Sequence, residues 1–556
     1  MTGRKQTFIN VLFIALLAGL AIAPSFVYGI TTGNDFHQHF QFASSIHQSI
    51  ISGEIYPSWV ATPNYGLGDV ALRFYPPFGY YVLSLVYIAA GNWYVAAMVT
   101  FWLVFFSGGV GMYLLAREEF PPRQSLLAAA IYIFVPYHLN EIYNNFLFAE
   151  FVATAVLPFC FLYITRICRG AELAGVFGLS VSYALLILSH LPLTILGSIA
   201  FAVYACFLLR KTDLWKTALR LAASAAGGLV LSAFYWVRMV CEMAWVKHSS
   251  AEYFSDVFDF GRNFLLKPAN WLNFQDDVLA LWFADLMLVA IVAAAIPSTV
   301  FLIKNRRDIP KFMQAAAALF FFAVFMTTPL SGFIWRIFPF LQKVQFPWRW
   351  MAIVSVTGAV FASTGIMWAA EAMKKSRNLA LPLALGAVLV VFVFTAAFVV
   401  KQAVYVPASE FNASMTTTAD DPGYEGWWPV WAKVQALSVK EKVTLTGRET
   451  AIESWLPTER QFTVAPGEAG QVRIGTFYYP HWHAAVNGSQ VQIFADENGL
   501  ISLAVPAERS TIKLSFEEPA INRAAFYISA VGWIIVLFGM IPVLAANFKK
   551  RNIEQL

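Results

Sequence analysis

Twelve apolar runs, each close to the length that crosses a lipid bilayer, constrain this 556-residue chain more than any other feature. Hydrophobic residues make up 58% of the chain and charged residues only 13%, about half the charged share of a soluble domain. The pattern predicts an α-helical polytopic membrane protein with about twelve transmembrane helices. The runs lie at 8–30, 94–116, 124–138, 146–166, 172–190, 191–210, 216–239, 277–303, 312–330, 348–372, 379–401 and 522–546.

The loops between these runs predict how the chain is oriented in the membrane. Alternate loops are rich in Arg and Lys, which accumulate on the cytoplasmic side of membrane proteins. Both termini are therefore expected in the cytoplasm, and these loops account for the net charge of +5 without any affinity for nucleic acid. The apolar stretch 78–91 would break the alternation if it crossed, so we expect an interfacial or re-entrant helix there. The basic loops are 117–123, 166–170, 210–216, 304–311, 374–377 and the tail 549–556.

Residues 402–520 differ from the rest of the chain in their pattern. Segments such as "QVRIGTFYY" and "STIKLSF" alternate apolar and polar residues between "NG" and "ENG" turns, which is typical of half-buried antiparallel strands. Because an odd number of crossings precedes them, we expect a small extracytoplasmic β-sandwich. The predicted division is a transmembrane domain at 1–401 with its first outer loop at 31–93, the β-rich domain at 402–520, and a final transmembrane helix with a basic cytoplasmic tail at 521–556.

The first outer loop begins with "GNDFHQHF" at 33–40, which places one carboxylate and two imidazoles at the membrane surface. Ionisable residues at such a boundary are costly and are often functional. Asp35 is either a functional carboxylate or the N-cap of the following helix. His37 and His39 point to opposite sides of a helix, whereas Asp35 and His39, four residues apart, share a face and are a candidate metal pair.

Three stretches carry a resemblance to a known family. "GNDFHQHF" is followed by "GEIYPSWVATPNYGLGDVALRFYPPF" at 53–78, and "QFPWR" at 345–349 and "YYPHW" at 478–482 come later. Together they resemble the motifs of the bacterial 6-pyruvoyl-tetrahydropterin synthase-related membrane proteins, whose architecture is similar to that of the GT-C glycosyltransferases. The resemblance implies a GT-C-like transmembrane catalytic domain in the bacterial inner (plasma) membrane.

The same resemblance implies a reaction. GT-C enzymes take a sugar from a polyprenyl-phosphate donor and use an acidic residue of the first outer loop, here Asp35 as general base. The acceptor is an outer-face glycan, lipid or protein. Such chemistry needs a cation at the leaving phosphate, because negative charge grows there in the transition state. Arg349 is the first candidate for this role, with Arg73, Arg336 and Lys343 behind it.

Further residues are expected around the same site. Glu150, at the outer edge of its run, is a second catalytic carboxylate that orients the acceptor, holds a metal with Asp35, or pairs with an arginine; Glu141 is its alternative. Whether Mg²⁺ or Mn²⁺ takes part is left open. Residues 424–431, "YEGWWPVW", form either a lid over the cleft or an interfacial anchor. The expected substrate-binding residues are His37, His39, Tyr75, His190 and Trp59.

Two other classes of function compete with glycosyl transfer. A transporter or lipid flippase would place charged residues in mid-span and pair broken helices between two halves of the chain, and neither pattern is evident. A non-catalytic envelope-glycan assembly protein would use the β-rich domain as a binding module. The joint presence of Asp35, Glu150 and Arg349 favours the transferase.

Overall fold

The computed structural model describes residues 3–272, 281–305, 309–375 and 380–553. Parts of the basic loops predicted at 304–311 and 374–377, the start of the apolar run at 277–303 and the end of the tail lie outside these ranges. Within them the chain is mainly helical, with a sheet-containing region towards the C-terminus. The predicted class, a helical membrane protein with a β domain, is confirmed.

Each of the twelve apolar runs coincides, over its described residues, with one helix or with two consecutive helices. The helices are α1 Gly3–Tyr28, α2 Phe36–Ile51, α3 Phe78–Ala90, α4 Trp93–Arg117, α5 Pro122–Phe134, α6 Pro136–Tyr143, α7 Phe148–Cys168, α8 Leu173–Ile187, α9 Leu191–Leu208, α10 Leu214–Leu231, α11 Ala233–Glu242, α12 Pro268–Leu272, α13 Leu281–Lys304, α14 Lys311–Thr327, α15 Gly332–Ile337, α16 Pro339–Gln342, α17 Met351–Lys375, α18 Ala380–Gln402, α19 Ala408–Ser414 and α20 Ala520–Ile553.

Within the described ranges, nine helical segments are long and apolar enough to cross a membrane. Two further pairs, bent by 73° and 88° at short breaks, raise the number to eleven. The remaining predicted run forms α8, whose 15 residues fall short of a full span. The stretch 78–91 is helical as expected, but α3 has only 13 residues, about two thirds of a span.

Small residues set the packing at the centre of the helical domain. On α4, a Cβ atom at Gly109 would lie 2.7 Å from the side chain of Ile133, and one at Gly111 would lie 2.7 Å from the ring of Phe159. Close approach of backbones is what drives helices together in lipid, where burial of apolar surface gives little advantage. Thus α4 packs against α1, α5 and α7 in one buried core.

The C-terminal domain is the predicted β-sandwich. A four-stranded sheet has the order β3-β6-β10-β9, and a five-stranded sheet has the order β4-β5-β11-β7-β8, all antiparallel. Alternate residues of β11 are buried, as the sequence pattern predicts. The strands are β1 Ile30–Thr32, β2 Val404–Val406, β3 Val443–Thr444, β4 Thr450–Trp455, β5 Glu459–Val464, β6 Gly470–Phe477, β7 Trp482–Val486, β8 Ser489–Val491, β9 Phe494–Ala495, β10 Leu500–Val505 and β11 Ser510–Phe516.

The β domain and the first loop are packed into each other. Trp59, Leu67, Val70 and Phe74 of the loop belong to the same buried cluster as the core of the sandwich. Further along, β1 pairs with β2 in a separate two-stranded sheet that joins the ends of α1 and α18. We call this end of the helical domain the β-domain side.

Candidate active site

Asp35 occupies the N-cap position of α2, but its side chain makes no capping hydrogen bond. Only its backbone carbonyl is used, accepting from the N–H of His39 at 3.0 Å. The side chain is half-buried, and no hydrogen bond or ion pair joins it to the other residues that the structure describes. The carboxylate is therefore left for a partner outside the protein.

Three of the predicted site residues are brought together here. Burial raises the pKa of the Asp35 carboxyl to about 6, with the Arg349 guanidinium lowering it and the Glu150 carboxylate raising it further. Both groups thus lie within electrostatic range of Asp35, although they come from helices far apart in the chain. A carboxyl with a pKa near neutrality is suited to accept a proton at physiological pH.

The "QFPWR" motif folds into a short turn that fixes Arg349. Gln345 adopts a positive φ of 69°, which is uncommon for a residue other than glycine, and Pro347 then begins a 3₁₀ turn. Arg349 is buried, and its Nη1 donates to the carbonyl of Val344 at 2.7 Å. The ring of Phe346 lies 4.7 Å from its guanidinium carbon. The arginine is thereby held in one orientation.

Glu150 is the direct partner of this arginine. It lies in the first turn of α7, where the helix dipole favours a negative charge. Its Oε2 accepts from Nε of Arg349 at 3.0 Å, and its Oε1 accepts from the hydroxyl of Tyr137 at 2.5 Å. Of the three roles open to Glu150 from sequence, the structure shows the pairing with an arginine.

His190 completes the surroundings of Glu150. It is the N-cap of α9, where its Nδ1 accepts from the N–H of Leu193 at 3.4 Å. With Nδ1 as acceptor, the neutral ring carries its proton on Nε2, which lies 3.9 Å from Oε2 of Glu150. His190 therefore serves as a helix cap and also lies next to the predicted site.

Aromatic rings enclose His39. Its Nδ1 lies 2.6 Å from the hydroxyl of Tyr80, and the rings of Tyr75, Phe146 and Phe148 have centroids about 6 Å away. Burial lowers the pKa of His39 to about 3, so the ring is neutral. The predicted substrate-binding Tyr75 is on the edge of this cage, with its ring centroid 6.1 Å from that of Tyr80. It is close enough to Asp35 for that carboxylate to raise its pKa beyond the effect of burial.

A protein-bound metal finds few ligands here. No group of three or more His, Cys, Asp or Glu side chains within the described ranges is arranged to hold an ion. The Nε2 atom of His39 is buried without a partner there, but it lies among aromatic rings rather than oxygen ligands. Because Mg²⁺ and Mn²⁺ prefer oxygen ligands, the pair of Asp35 and His39 does not fit either ion by itself.

Three other predicted residues are exposed, and they lie at the edge of the group formed by Asp35, Glu150 and Arg349 or outside it. His37 is exposed, and its Nε2 lies 3.0 Å from a carboxylate oxygen of Asp421. Arg336 is exposed at the end of α15 and makes no contact with the Asp35 cluster among the described residues. Lys343, also exposed, has its Nζ 3.7 Å from the ring centroid of Phe254.

Arg73 and Trp59 are buried elsewhere, at the junction with the β domain. Two nitrogens of Arg73 donate to the two carboxylate oxygens of Glu242, each at 2.6 Å, and a third donates to Glu518 at 2.5 Å. Trp59 packs in the core of the sandwich, with its ring 5.5 Å from that of Trp482. The structure brings neither residue together with Asp35, because the β domain covers this part of the loop.

Comparison with known proteins places the chain in a family. A family model described as "6-pyruvoyl-tetrahydropterin synthase related domain; membrane protein" matches residues 72–399, more than half of the sequence. The chain belongs to this family. A search of curated proteins gives no match.

Several solved structures are similar in part to this family member. The oligosaccharyltransferase AglB from Archaeoglobus fulgidus, in complex with an inhibitory peptide and a dolichol-phosphate, has a TM-score of 0.38 at 13% identity over 75% of this chain and 56% of its own. The arabinofuranosyltransferase AftD from Mycobacteria has a TM-score of 0.43 at 13% identity, covering 70% and 27%. ArnT from Cupriavidus metallidurans in the apo state gives 0.32 at 14%, covering 74% and 89%.

The present chain thus spans 56% of the length of AglB and 27% of that of AftD. All three TM-scores are below 0.5. The function of this family member is therefore inferred below from its own residues.

The sequence predicts residues 424–431 as a lid over the cleft or an interfacial anchor, but it does not predict that Tyr253 lies beside them. Residues 418–428, which we call the strap, lie against α2: Gln41 donates to the carbonyl of Asp421 at 2.7 Å, and the N–H of Tyr424 donates to the side chain of Gln38 at 2.7 Å. The run "YEGWW" was the available signal, since its aromatic residues follow two aspartates. Nothing in the sequence paired the strap with Tyr253, whose hydroxyl donates to that of Tyr424.

Glu141, the alternative to Glu150, lies one helix earlier in the chain. It is fully buried on α6, and neither of its carboxylate oxygens has a hydrogen-bond partner among the residues described. Its backbone carbonyl accepts from the N–H of Leu147 at 2.6 Å, which shapes the turn into α7. The contacts to Arg349 are thus made by Glu150 rather than by Glu141.

Proposed function

We propose that this protein is a membrane glycosyltransferase of the GT-C type. It transfers a sugar from a polyprenyl-phosphate-linked donor to an acceptor on the outer face of the bacterial plasma membrane. The observation that carries the proposal is Asp35, a carboxylate without a protein partner in the described ranges, placed beside a buried Arg349 that Glu150 holds in position. Carboxylate and guanidinium are the two groups that the reaction requires.

The reaction follows from their chemistry. Asp35 accepts the proton of the acceptor hydroxyl while the hydroxyl oxygen attacks the anomeric carbon. The bond between that carbon and the phosphate oxygen breaks, and its electron pair moves to the phosphate. Arg349 stabilises the negative charge that develops there, since a fixed guanidinium costs no reorganisation at the moment of reaction. A single displacement of this kind inverts the anomeric centre.

Glu150 positions Arg349 in this mechanism. A buried charge pair keeps its geometry only when each partner is hydrogen-bonded, and Glu150 is bonded by both Arg349 and Tyr137. Nη2 of Arg349 has no hydrogen-bond partner among the described residues, so it is the nitrogen offered to phosphate. Any divalent ion would take most of its ligands from the donor, and no step here depends on one.

An apolar groove suits the hydrocarbon chain of such a donor. It encloses about 680 Å³ between α1 and α18, with Lys401 as its charged residue. A polyprenyl chain fits an apolar groove among spanning helices, and the ammonium group at its end complements a phosphate. The groove reaches Tyr405 on β2, which pairs with β1 just before Asp35 in the sequence. Other lining residues are Leu20, Pro24, Phe134, Phe392 and Val400.

Orientation is part of the proposal. The basic loops predict cytoplasmic termini, so the β-domain side, with Asp35 and the sandwich, faces outwards. The acceptor then meets the donor outside the cytoplasm, where a glycan, lipid or protein of the envelope is available. Cysteine-accessibility labelling of Asn34→Cys and Lys549→Cys with a membrane-impermeant maleimide tests this orientation. Labelling of Lys549→Cys but not of Asn34→Cys in intact cells would show that the orientation is the opposite one.

The direct test is an assay of purified protein in nanodiscs with a panel of polyprenyl-phosphate hexoses and pentoses. We expect Asp35→Asn and Arg349→Ala each to lose about 100-fold or more in rate, and Glu497→Gln, an exposed carboxylate of the β domain, to behave as wild type. Full transfer by Asp35→Asn would refute the base assignment. Movement of donor across vesicles without glycosidic product would favour the transporter instead.

A further inference from the structure

The strap and the loop 245–258 are far apart in sequence, yet they are bound to each other on the β-domain side. Lys247 and Glu425 form an ion pair at 2.6 Å, and the hydroxyl of Tyr253 donates to that of Tyr424. The backbone reinforces the contact, since the N–H of Lys247 also donates to a strap carbonyl at 3.1 Å. The two segments therefore form one continuous surface.

This surface is aromatic. The ring of His248 lies 4.3 Å from that of Trp427 and 4.1 Å from that of Tyr253, between centroids. Tyr253 stacks on Phe258 at 5.3 Å with the planes only 10° apart. Trp427 in turn contacts Tyr75 edge-on at 5.8 Å. Interlocked rings of this kind hold their positions, so the surface is rigid before any ligand arrives.

The surface borders the proposed catalytic carboxylate. Burial raises the pKa values of Tyr253 and Tyr424, and the negative charge of Asp35 raises both further. The charge of Asp35 also raises the pKa of Tyr75, and the charge of Arg349 lowers it. All three tyrosines are thus within electrostatic range of Asp35. The backbone gives the same placement, since the N–H of Tyr424 donates to Gln38 in the first turn of α2, the helix that Asp35 begins.

We propose that this surface binds a sugar ring, whose apolar C–H face lies against Trp427 while its hydroxyl groups hydrogen-bond to Tyr253 and Tyr424. The inference rests on the proposed function and names the site where that function holds a carbohydrate. Sugar-ring sites combine an apolar wall with a few fixed polar groups. The ring of Trp427, half-buried and stacked parallel to that of Phe74 at 6.1 Å, supplies the wall with its accessible part, and the two tyrosines supply the polar groups. Because the Tyr424 oxygen accepts the hydrogen bond from Tyr253, the hydroxyl proton of Tyr424 remains free to be donated to a ligand oxygen.

An interfacial anchor would look different. Tyr and Trp that only anchor a protein in headgroups point their polar ends into water or lipid and need no partners. Here the two hydroxyls are bonded to each other, and the strap is fixed to α2 as well as to the loop 245–258. Tyr424 nevertheless remains 43% exposed, which leaves a face for a ligand.

The bound sugar ring belongs either to the acceptor or to the donor, and one set of variants distinguishes these two possibilities. Tyr253→Phe, Tyr424→Phe and the double variant remove hydroxyls and keep the rings. Tyr65→Phe is the matched control, because Tyr65 is an exposed tyrosine of the first loop whose ring contacts Lys440 instead. Thermal unfolding of each variant establishes that it is folded.

The first measurement is binding of methyl glycosides of mannose, glucose and arabinofuranose by saturation-transfer NMR. The protein is kept in nanodiscs, since maltoside detergents would compete. The second is the transfer assay, with the KM of acceptor and donor and the rate of donor hydrolysis taken separately. Losing one hydrogen bond should weaken binding about 2- to 10-fold, and losing both should weaken it more.

Each outcome is decisive. A raised acceptor KM with unchanged donor hydrolysis assigns the ring to the acceptor, and a raised donor KM assigns it to the donor. Glycoside binding and KM values equal to those of Tyr65→Phe would overturn the sugar site while leaving the proposed function intact. Tyrosine-dependent glycoside binding without transfer from any donor would support the site and refute the proposed function.

Discussion

Asp35 combines two properties that are rarely found together at a helix N-terminus. Its position is that of an N-cap, where a carboxylate ordinarily bonds to the backbone, yet its oxygens take no such bond. Its pKa is held at about 6 by burial, with opposing contributions from Arg349 and Glu150. A capping bond would lower that pKa and occupy the lone pairs that a base must use.

The pKa predicts how activity depends on pH. In the proposed mechanism Asp35 acts as a base only when it is deprotonated. Because its pKa is raised above the usual value for aspartate, activity should be complete above about pH 7 and fall as the pH drops through about 6. In the acid range kcat/KM should decrease about tenfold per pH unit. The measurement is a pH–rate profile with folding monitored at each pH; a flat profile down to pH 4.5 would contradict it.

Neighbouring charges should move that profile in opposite directions. Because the Glu150 carboxylate raises the pKa of Asp35, Glu150→Gln should shift the acid limb to lower pH. Because the Arg349 guanidinium lowers it, Arg349→Gln should shift the limb to higher pH and also reduce the maximum rate. Shifts of the acid limb are measured separately from losses of maximum rate, which distinguishes electrostatic coupling from general damage to the site. Shifts of the acid limb in the same direction in both variants would rule out the coupling.

At the scale of elements, the turn at 66–68 in the first loop depends on two glycines. Gly66 and Gly68 both have a φ of +88°, but a Cβ atom at Gly68 would lie 2.3 Å from the indole of Trp59, whereas one at Gly66 would meet nothing within 4 Å. The "GLG" sequence therefore meets two separate demands. Both glycines provide the left-handed backbone, and Gly68 also makes room for the tryptophan that enters the β domain.

Alanine substitutions separate these demands. Gly66→Ala should cost about 1–2 kcal/mol, the price of a side chain in the left-handed region. Gly68→Ala should cost clearly more, because the clash with Trp59 is added to the same strain. The measurements are the unfolding midpoint and the transfer activity of each variant in nanodiscs. Equal midpoints for the two variants would show that the close approach of Gly68 to Trp59 does not contribute to stability.

Sequence patterns predicted helices and strands better than they predicted which residues distant in sequence contact each other. Hydrophobic length located α1, α4 and α17, and strand alternation located the sandwich, because both patterns record burial along one segment. They could not show that Trp59 and Arg73 lie under a domain that begins several hundred residues later. "FYPPF" and "QFPWR" look alike as aromatic loops with an arginine nearby. Only the fold shows that Arg73 is bound by two carboxylates, whereas Arg349 is bound by one and keeps Nη2 without a partner among the described residues.

At the scale of the molecule, a buried polar network joins the helical and β domains. Arg73 pairs with Glu242 at the end of α11 and with Glu518 just before α20. Arg238 adds a second ion pair to Glu518 at 3.0 Å, and the hydroxyl of Tyr479 in the β domain donates to Glu242 at 2.7 Å. Burial alone would raise the pKa of Glu518, but Arg73 and its neighbours hold it at about 2.

Arg73→Ala should therefore release the β domain. Removing one partner of a buried ion network leaves uncompensated charges and costs about 3–5 kcal/mol. We expect a lower unfolding midpoint and faster proteolysis between 402 and 442, with the sandwich itself still folded. Arg336→Ala, an exposed arginine outside the network, is the control. Unchanged proteolysis in Arg73→Ala would mean that apolar packing alone holds the domains together.

The network also has a consequence for how the chain is made. Arg73 leaves the ribosome early, while Glu518 follows 445 positions later. A guanidinium that is fully buried in the finished protein must therefore wait, incompletely paired, until nearly all of the helices have been inserted. Until residue 518 is made, Arg73 has the carboxylate of Glu242, but Arg238 lacks the carboxylate of Glu518. Closing this network is therefore one of the last steps of folding, and the firm attachment of the β domain has to wait for the end of synthesis.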